Sequence, residues 1–244
     1  MFRVRGPNYL KDGKKINSER SLCRLLAVDF LEGPLGTDFT HIASKGEGVM
    51  HSFLEKHRHA TRAPFVIIIN FQIQFASDSS GCMAFYWVRR EEAQSDGADA
   101  LFRRLMNDEA ENRVKLDEEA CGCVKVIPIV RNGPWLVKRV MGAEKPAIIG
   151  KKIALEINRG LNYMEVGIDT TTSTAGNAII SVLKEPLTTL VIDLAFMFEG
   201  KAAEFLPERL LGTVRLSHLE VPKAVRVENF PMKRPPEPAK SWFG

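Results

Sequence analysis

The stretch from Thr170 to Gly200, TTTSTAGNAIISVLKEPLTTLVIDLAFMFEG, constrains the fold more than any other part of the chain. Apolar residues recur in it at intervals of three and four, which is the spacing that places side chains on one face of an α-helix. They are Ile179, Leu183, Leu187, Leu190, Leu194 and Met197. The pattern predicts one long helix, Thr172–Phe198, which bends at Pro186 because proline has no N–H to donate.

After Leu187 this helix would be apolar on nearly every side, so we expect it to lie buried at the centre of the domain. The alternative is a membrane span, which needs roughly 20 mostly apolar residues. Charged residues and Pro186 interrupt the stretch, so the buried helix is favoured. Asp193 follows Thr189 by four residues, and on a helix the two side chains would satisfy each other.

The composition is that of a globular protein. The chain has 244 residues, 45% of them hydrophobic, which is enough for one substantial core. The N-terminus has no apolar run like a signal peptide, and the four cysteines show no disulfide framework, so we expect a cytoplasmic location, with peripheral membrane association as an alternative. The first twenty residues carry the whole net charge of +4 and are expected to form a solvated loop; the alternatives are that they meet acidic lipid head groups, RNA or an acidic partner.

Alternating apolar residues predict several strands. The clearest is Phe65–Phe75, with Cys82–Val88 as its hairpin partner. Further strands are predicted at Cys123–Val130, Trp135–Met141, Lys152–Asn158, Tyr163–Asp169 and Leu210–Leu219, and short helices at Ser21–Phe30, Gly46–Arg62 and Ala98–Met106. Because short turns join most of the strands, we expect them to pair antiparallel.

The predicted fold class is therefore α+β. A curved antiparallel sheet of about six to seven strands would pack around the long helix, in one domain at 1–227, and a proline-rich basic tail at 228–244 would stay outside the core. A sheet that curls around a helix can enclose an apolar pocket, as in helix-grip lipid carriers.

The pattern RGxNY occurs twice, as Arg5-Gly-Pro-Asn-Tyr9 and as Arg159-Gly-Leu-Asn-Tyr163. We interpret the two copies as two turns of the same local geometry, with glycine for a sharp backbone and asparagine bonding within its own turn. The functional alternative is that both arginines bind one anion. The candidate ligand-binding residues are Arg5, Asn8, Tyr9, Arg159, Asn162 and Tyr163.

Signals for catalysis, metal binding and nucleic-acid binding are weak. The chain has no GxSxG elbow, Walker loop, GxGxxG or HExxH motif, so we expect neither an enzyme nor a cofactor. His51, Glu55 and His59 would share a helix face, but a solvated basic face explains them better than a metal site. Phe85, Tyr86 and Trp87 are consecutive strand residues that point to opposite faces, so they form no stacking platform for nucleic acid.

Six segments together resemble the C-terminal domain of the plant Enhanced Disease Resistance 2 family. In chain order they are VRGPNYLKD, PFVIIINFQI, GPWLVKRVMGAEKPAIIGKKI, NRGLNYMEV, LTTLVIDLAFMFEG and LPERLLGTVRL, and the resemblance runs from about Phe2 to Leu219. In plants such a domain usually follows a phosphoinositide-binding pleckstrin-homology domain and a lipid-binding START domain, in proteins that restrain defence and cell death. The resemblance implies a lipid- or membrane-linked regulatory module.

Two functions are therefore expected in order of preference. The first is a non-enzymatic domain that binds a lipid or another hydrophobic ligand, with a lipid or membrane surface as its partner. The alternative is a protein–protein interaction module with a solid core and no ligand. The sequence does not fix the oligomeric state.

Overall fold

A computed structural model describes residues 1–45, 48–57, 64–91, 96–106, 113–141, 145–160 and 162–233. The strands are β1 Arg3–Arg5, β2 Lys15–Asn17, β3 Cys23–Pro34, β4 Val66–Gln74, β5 Ser79–Arg89, β6 Val124–Asn132, β7 Ala147–Ile148, β8 Leu155–Gly160, β9 Tyr163–Asp169, β10 Val191–Phe198, β11 Gly212–Ser217 and β12 Val225–Arg226. The α-helices are α1 Tyr9–Asp12, α2 Gly48–Lys56, α3 Gly97–Leu105, α4 Arg113–Cys121, α5 Trp135–Met141 and α6 Thr174–Lys184.

The strands form two main sheets and one small hairpin. The larger sheet has six strands in the order β12-β3-β5-β4-β9-β8, the smaller has four in the order β11-β10-β6-β7, and β1 pairs with β2. Most pairs are antiparallel, but β4 runs parallel to β9, and β12 runs parallel to β3. The α+β class and a sheet of six strands are confirmed, whereas the expectation of one antiparallel sheet was wrong.

The main core lies between the two sheets. Alternate residues of β4 and β5 point toward the smaller sheet, among them Ile67, Ile69, Phe85 and Trp87, and they pack against Phe196 of β10. The intervening residues of the same two strands point to the other face of the larger sheet. There they pack with residues of the segment after β3 and of α2, such as Phe39, Ile42 and Met50. Both faces of β4 and β5 are therefore buried.

The predicted long helix was wrong in its second half. Helix α6 ends at Lys184, a 3-10 turn follows at Glu185–Thr188, and Val191–Phe198 is strand β10. Helix α6 also lies at the surface and not at the centre, since Gly176 is its one buried residue among those described. The buried element of this stretch is β10, which pairs with β6 on one side and β11 on the other.

Strand β10 was mistaken for helix because both of its faces are buried. Phe196 and Phe198 pack in the main core, while Ala195 and Met197 pack on the opposite face with Val4 of β1. A strand buried on both faces has no alternation of apolar and polar residues, so its sequence cannot be told from that of a buried helix by period alone. Asp193, expected beside Thr189, instead pairs across the sheet with Arg131 and Arg215.

Three further predictions need correction. The segment Ser21–Phe30, predicted as a helix, belongs mostly to β3, and Trp135–Met141, predicted as a strand, is helix α5. The residues after 227 were expected to stay outside the core, but Phe230 is buried against Phe39. Residues 234–244 of that tail lie outside the described residues. The described helices include none long and apolar enough to cross a bilayer.

Candidate functional site

An apolar cavity of about 220 Å³ lies between the two sheets and helix α6. The larger sheet contributes Phe30, Phe71, Ile73, Phe75, Met83 and Phe85, and the smaller sheet contributes Val126, Ile148, Ile192, Leu194 and Leu216. Helix α6 and the turn after it contribute Ala175, Gly176, Ile179, Ile180, Leu183 and Leu187. Eight separate parts of the chain therefore build one hydrocarbon-lined space.

The sequence of α6 explains how it covers the cavity. Its lining residues fall at the helical spacing, so they share the face that turns inward, while Asn177 and Ala178 are exposed on the other face. The Ser173 hydroxyl accepts a hydrogen bond from the Gly176 N–H and donates one to the Lys152 carbonyl at 2.9 Å, which ties the start of the helix to the segment before β8. A side chain at Gly176 would lie 2.6 Å from the Thr170 carbonyl, so the helix approaches that backbone as closely as glycine permits.

Three polar side chains occur among the described residues that line the cavity, and they lie at its edges. The Thr170 hydroxyl donates to the Gln72 carbonyl at 2.7 Å, so it is already satisfied. Lys152 and Lys184 are both exposed, and neither forms an ion pair with a described carboxylate. Lys184 is the last residue of α6, and the Lys152 backbone is bonded to Ser173 just before the first, so the two residues lie near opposite ends of this helix. The wall itself offers no charge to a ligand, while its rim offers a cation at each end.

The first RGxNY copy is placed in an ionic network within the protein. The Arg5 guanidinium donates to Glu199 at 2.7 Å and to the Gly200 carbonyl at 3.1 Å, and it lies 4.9 Å from the centre of the Tyr9 ring. Glu208 accepts from the Arg5 N–H at 3.0 Å and also pairs with Lys125, whose pKa is lowered mainly by burial.

Asn8 stands at the start of α1, and its carbonyl accepts from the Lys11 N–H at 2.8 Å. The network of Arg5, Lys125, Glu199 and Glu208 fastens the β1–β2 hairpin to the smaller sheet. These contacts assign the copy a structural role.

The second copy forms a β-hairpin turn, as predicted. Arg159 donates twice to Asp117 of α4, at 2.7 and 2.8 Å, and once to the Leu105 carbonyl at the end of α3. The Asn162 carbonyl accepts from the Val66 N–H at 2.9 Å. Tyr163 is buried, and its hydroxyl lies 2.8 Å from Nε2 of His41. Burial, and then the nearby Glu165, raise the pKa of Tyr163.

The two copies do not share a geometry, because one leads from a strand into a short helix and the other joins two strands. Their arginines share no described partner, and none of the six candidate residues lines the cavity. That these residues bind a ligand stays a prediction.

A buried polar cluster lies on the face of the larger sheet away from the cavity. The Glu165 carboxylate accepts from the N–H groups of Ile42 and Ala43 at 3.0 and 3.2 Å and from the Asn70 amide at 2.9 Å. Burial raises the pKa of Glu165, and these hydrogen bonds oppose that shift. Glu165 is fully buried, so the cluster anchors the segment around His41 to the sheet and offers no route for a substrate.

Among the described residues, the histidines of α2 do not form a metal site. His51 and Glu55 are exposed on α2, and His59 lies outside the described residues. Within the described ranges no three side chains of histidine, cysteine, aspartate or glutamate are grouped to hold a metal ion.

Comparison with known proteins assigns the chain to a family. The protein-family model described as "Protein ENHANCED DISEASE RESISTANCE 2, C-terminal" matches residues 1–220 of the sequence. The chain belongs to this family. It is 30% identical over 224 residues to an Arabidopsis thaliana protein described as "Protein ENHANCED DISEASE RESISTANCE 2-like", and the match covers 92% of this chain but 28% of that relative. No solved structure matches the chain. The resemblance inferred from the six sequence segments is thus confirmed, and the chain spans just over a quarter of the length of this family relative.

Sequence reasoning missed the cavity in this family member, although it identified the faces of some residues that line it. The alternation of β4 identified Phe71 and Ile73 as facing one side, and the helical period identified Ile179 and Leu183. The sequence held no signal that these two faces meet with a gap between them, because the gap depends on how the two sheets and α6 pack together. The candidate site instead came from a repeated motif that the fold uses in turns.

Proposed function

We propose that this domain is a non-enzymatic module that binds one hydrophobic chain in the cavity beneath α6. The observation that carries the proposal is the cavity wall, which is apolar on all three sides and leaves no buried polar group to hold water. Apolar cavities of this kind stay dry and take apolar guests. The regulatory and membrane-linked parts of the proposal come from the family resemblance, and the cytoplasmic part comes from the four cysteines, which show no disulfide framework.

The size of the cavity narrows the class of ligand. An engineered protein cavity of about 150 Å³ binds benzene, and the volume here is about 220 Å³. That space suits a single acyl chain or a small ring system, and it is too small for both chains of a phospholipid. We therefore expect a single-chain lipid, such as a fatty acid, to bind better than a diacyl lipid.

The ligand's polar end would remain at the rim. Because Lys152 and Lys184 are exposed and line the cavity, a carboxylate or phosphate leaving at either end of α6 would meet a cation. The arrangement resembles a helix-grip carrier in that a helix covers an apolar space against a sheet, although α6 is short. The six residues of the RGxNY motifs are not needed in this proposal, since their contacts favour a supporting role.

The test is the binding of a fluorescent fatty-acid analogue to the purified chain. Ile179→Trp adds volume on the inner face of α6, so it should weaken binding about tenfold or more, equivalent to at least 1.4 kcal/mol. The matched control is Ala178→Trp, because Ala178 is the adjacent exposed residue on the same helix. That variant should bind like the wild type.

Thermal unfolding completes this test by showing that both variants are folded. Equal binding by the wild type and Ile179→Trp would overturn the proposal, as would an absence of binding by the wild type. The alternative, an interaction module with a solid core, is disfavoured by a cavity of this size.

A further inference from the structure

We propose that helix α5 is a docking surface for the face of an anionic lipid bilayer. Helix α5 leaves large apolar side chains in water: Trp135 is 68% exposed, Leu136 45% and Val140 42%. Val137 is buried and anchors the helix against the cluster that contains Leu190 and Ile192. Three exposed apolar residues thus occur within six positions on a helix that is fixed from beneath.

The side chains of α5 fit the boundary between lipid and water. Tryptophan has an apolar ring and a polar N–H, and it is enriched where membrane proteins cross the head-group layer. Arg139 lies with its guanidinium 5.8 Å from the centre of the Trp135 ring, and Lys138 is exposed beside it. Apolar residues that enter the bilayer and cations that stay among the head groups are the combination found in interfacial helices.

The surrounding charge favours an anionic surface. The segment 131–152 contains six lysine and arginine residues and one carboxylate, Glu144, so its net charge is +5, while the whole chain has +4. Arg131 is paired with Asp193, but Lys138, Arg139, Lys145, Lys151 and Lys152 have no described carboxylate partner. Basic side chains near a bilayer are attracted by acidic lipids within a Debye length.

The position of α5 beside the cavity connects this surface to the proposed ligand site. Met141, the last residue of α5, lines the cavity, and so do Ala147, Ile148, Ile149 and Lys152 of the segment that follows. Ala147 and Lys152 are also exposed, so this segment forms part of the cavity rim. Docking through α5 would place that rim against the lipid, where a single chain can enter. This link rests on the proposed function, whereas docking itself does not require the cavity.

The test is sedimentation of the full chain with vesicles. The protein should sediment with vesicles of equal parts phosphatidylcholine and phosphatidylserine. A much smaller fraction of the protein should sediment with vesicles of phosphatidylcholine alone. The double variant W135D/L136D should lose binding to the acidic vesicles. The matched control is Leu35→Asp, because Leu35 follows β3 and is 48% exposed, slightly more than Leu136 at 45%. The control should bind like the wild type.

Fluorescence tests whether Trp135 itself enters the lipid. Trp87 is fully buried, and Trp242 is replaced by phenylalanine in this experiment, so a change on adding vesicles reports on Trp135. Acidic vesicles should shift its emission to shorter wavelength, and K138E/R139E should abolish the shift.

The outcomes separate this inference from the ligand proposal. Vesicle binding that W135D/L136D retains, or an emission that does not shift, would overturn docking through α5 even if the fatty-acid analogue binds. If the wild type binds acidic vesicles but does not bind the fatty-acid analogue, only the ligand proposal is overturned. If the wild type does not bind acidic vesicles and a protein partner instead covers α5, the assignment of α5 to a bilayer is wrong.

Discussion

The two ends of the space between the sheets are built differently. At one end, the rings of Phe85, Trp87 and Phe196 lie 5.2 to 5.8 Å apart and fill the space between the sheets. At the other end, α6 covers a cavity lined by aliphatic side chains and phenylalanine. A protein interior is normally packed at crystal density. We therefore expect the packed end to contribute more to stability than the covered end, which takes the ligand in the proposed function.

The largest expected effect is the loss of Trp87. Trp87→Ala should lower the free energy of unfolding by about 3 to 5 kcal/mol, because it leaves a void in a closely packed region. Leu183→Ala on the covered side should cost about 1 kcal/mol, since Leu183 is only half buried and already borders empty space. Urea unfolding measures both. Equal losses would remove the distinction between the two ends.

A smaller effect is expected from adding one methyl group beside Trp87. In Gly212→Ala the new carbon would lie 2.3 Å from the Trp87 ring nitrogen, and the ring has no room to move, so unfolding should become easier by about 1 to 3 kcal/mol. Gly167→Ala is the control, because Gly167 is also a buried strand glycine but its nearest contact would be 3.5 Å away. That variant should be nearly neutral. A neutral Gly212→Ala would show that the packed end is looser than described.

A still smaller change in the free energy of unfolding is expected when the pH is lowered. Hydrogen bonds from Arg215, and then from Arg131, lower the pKa of Asp193 from its ordinary 3.8 to about 2. A depressed pKa adds stability that is present above pH 4 and is lost as pH falls toward 2. The loss should be about 1 kcal/mol or less, because the Arg215 side chain is mostly exposed. Asp193→Asn should flatten this part of the pH profile of unfolding, and an unchanged profile would argue against the pairing.

The smallest effect concerns the cavity rim. Lys184→Glu should weaken binding of an anionic fatty-acid analogue by about fivefold or less, which is the scale of one exposed charge pair. It should leave binding of an uncharged analogue unchanged. Lys14→Glu, an exposed change far along the chain, serves as the control. Equal losses for the charged and uncharged analogues would show that Lys184 acts on the fold and not on the head group.

The parts of the fold that the sequence predicts are those with a clear period or a strong residue preference. Strand β9 and the inner face of α6 show a period, and the structure agrees with both. Strands β4 and β5 are buried on both faces, but their β-branched and aromatic residues favour a strand, and turn residues separate them. Strand β10 was predicted as a helix because its two buried faces remove the alternation of apolar and polar residues. Helix α5 was predicted as a strand for a related reason. Its exposed Trp135, Leu136 and Val140 give the segment the apolar content of a buried strand. In both cases partners distant in sequence decide the structure.

The candidate site was predicted less well than the fold. Arg5 and Arg159 were chosen because their motif repeats, but each has carboxylate partners supplied by distant parts of the chain, Glu199 and Asp117. Such pairings are not encoded in the local pattern. The cavity likewise is lined by residues from both sheets and α6, and no single segment carries a signal for how these elements meet.

The central claim is that a hydrophobic chain occupies the space beneath α6, and a crystal structure with a bromine-labelled fatty acid tests it most directly. The account predicts anomalous density for bromine between Ile179 on α6 and Phe85 on the larger sheet. Bromine density confined to the surface or to the surroundings of Arg5 and Arg159, with the space beneath α6 empty, would contradict it.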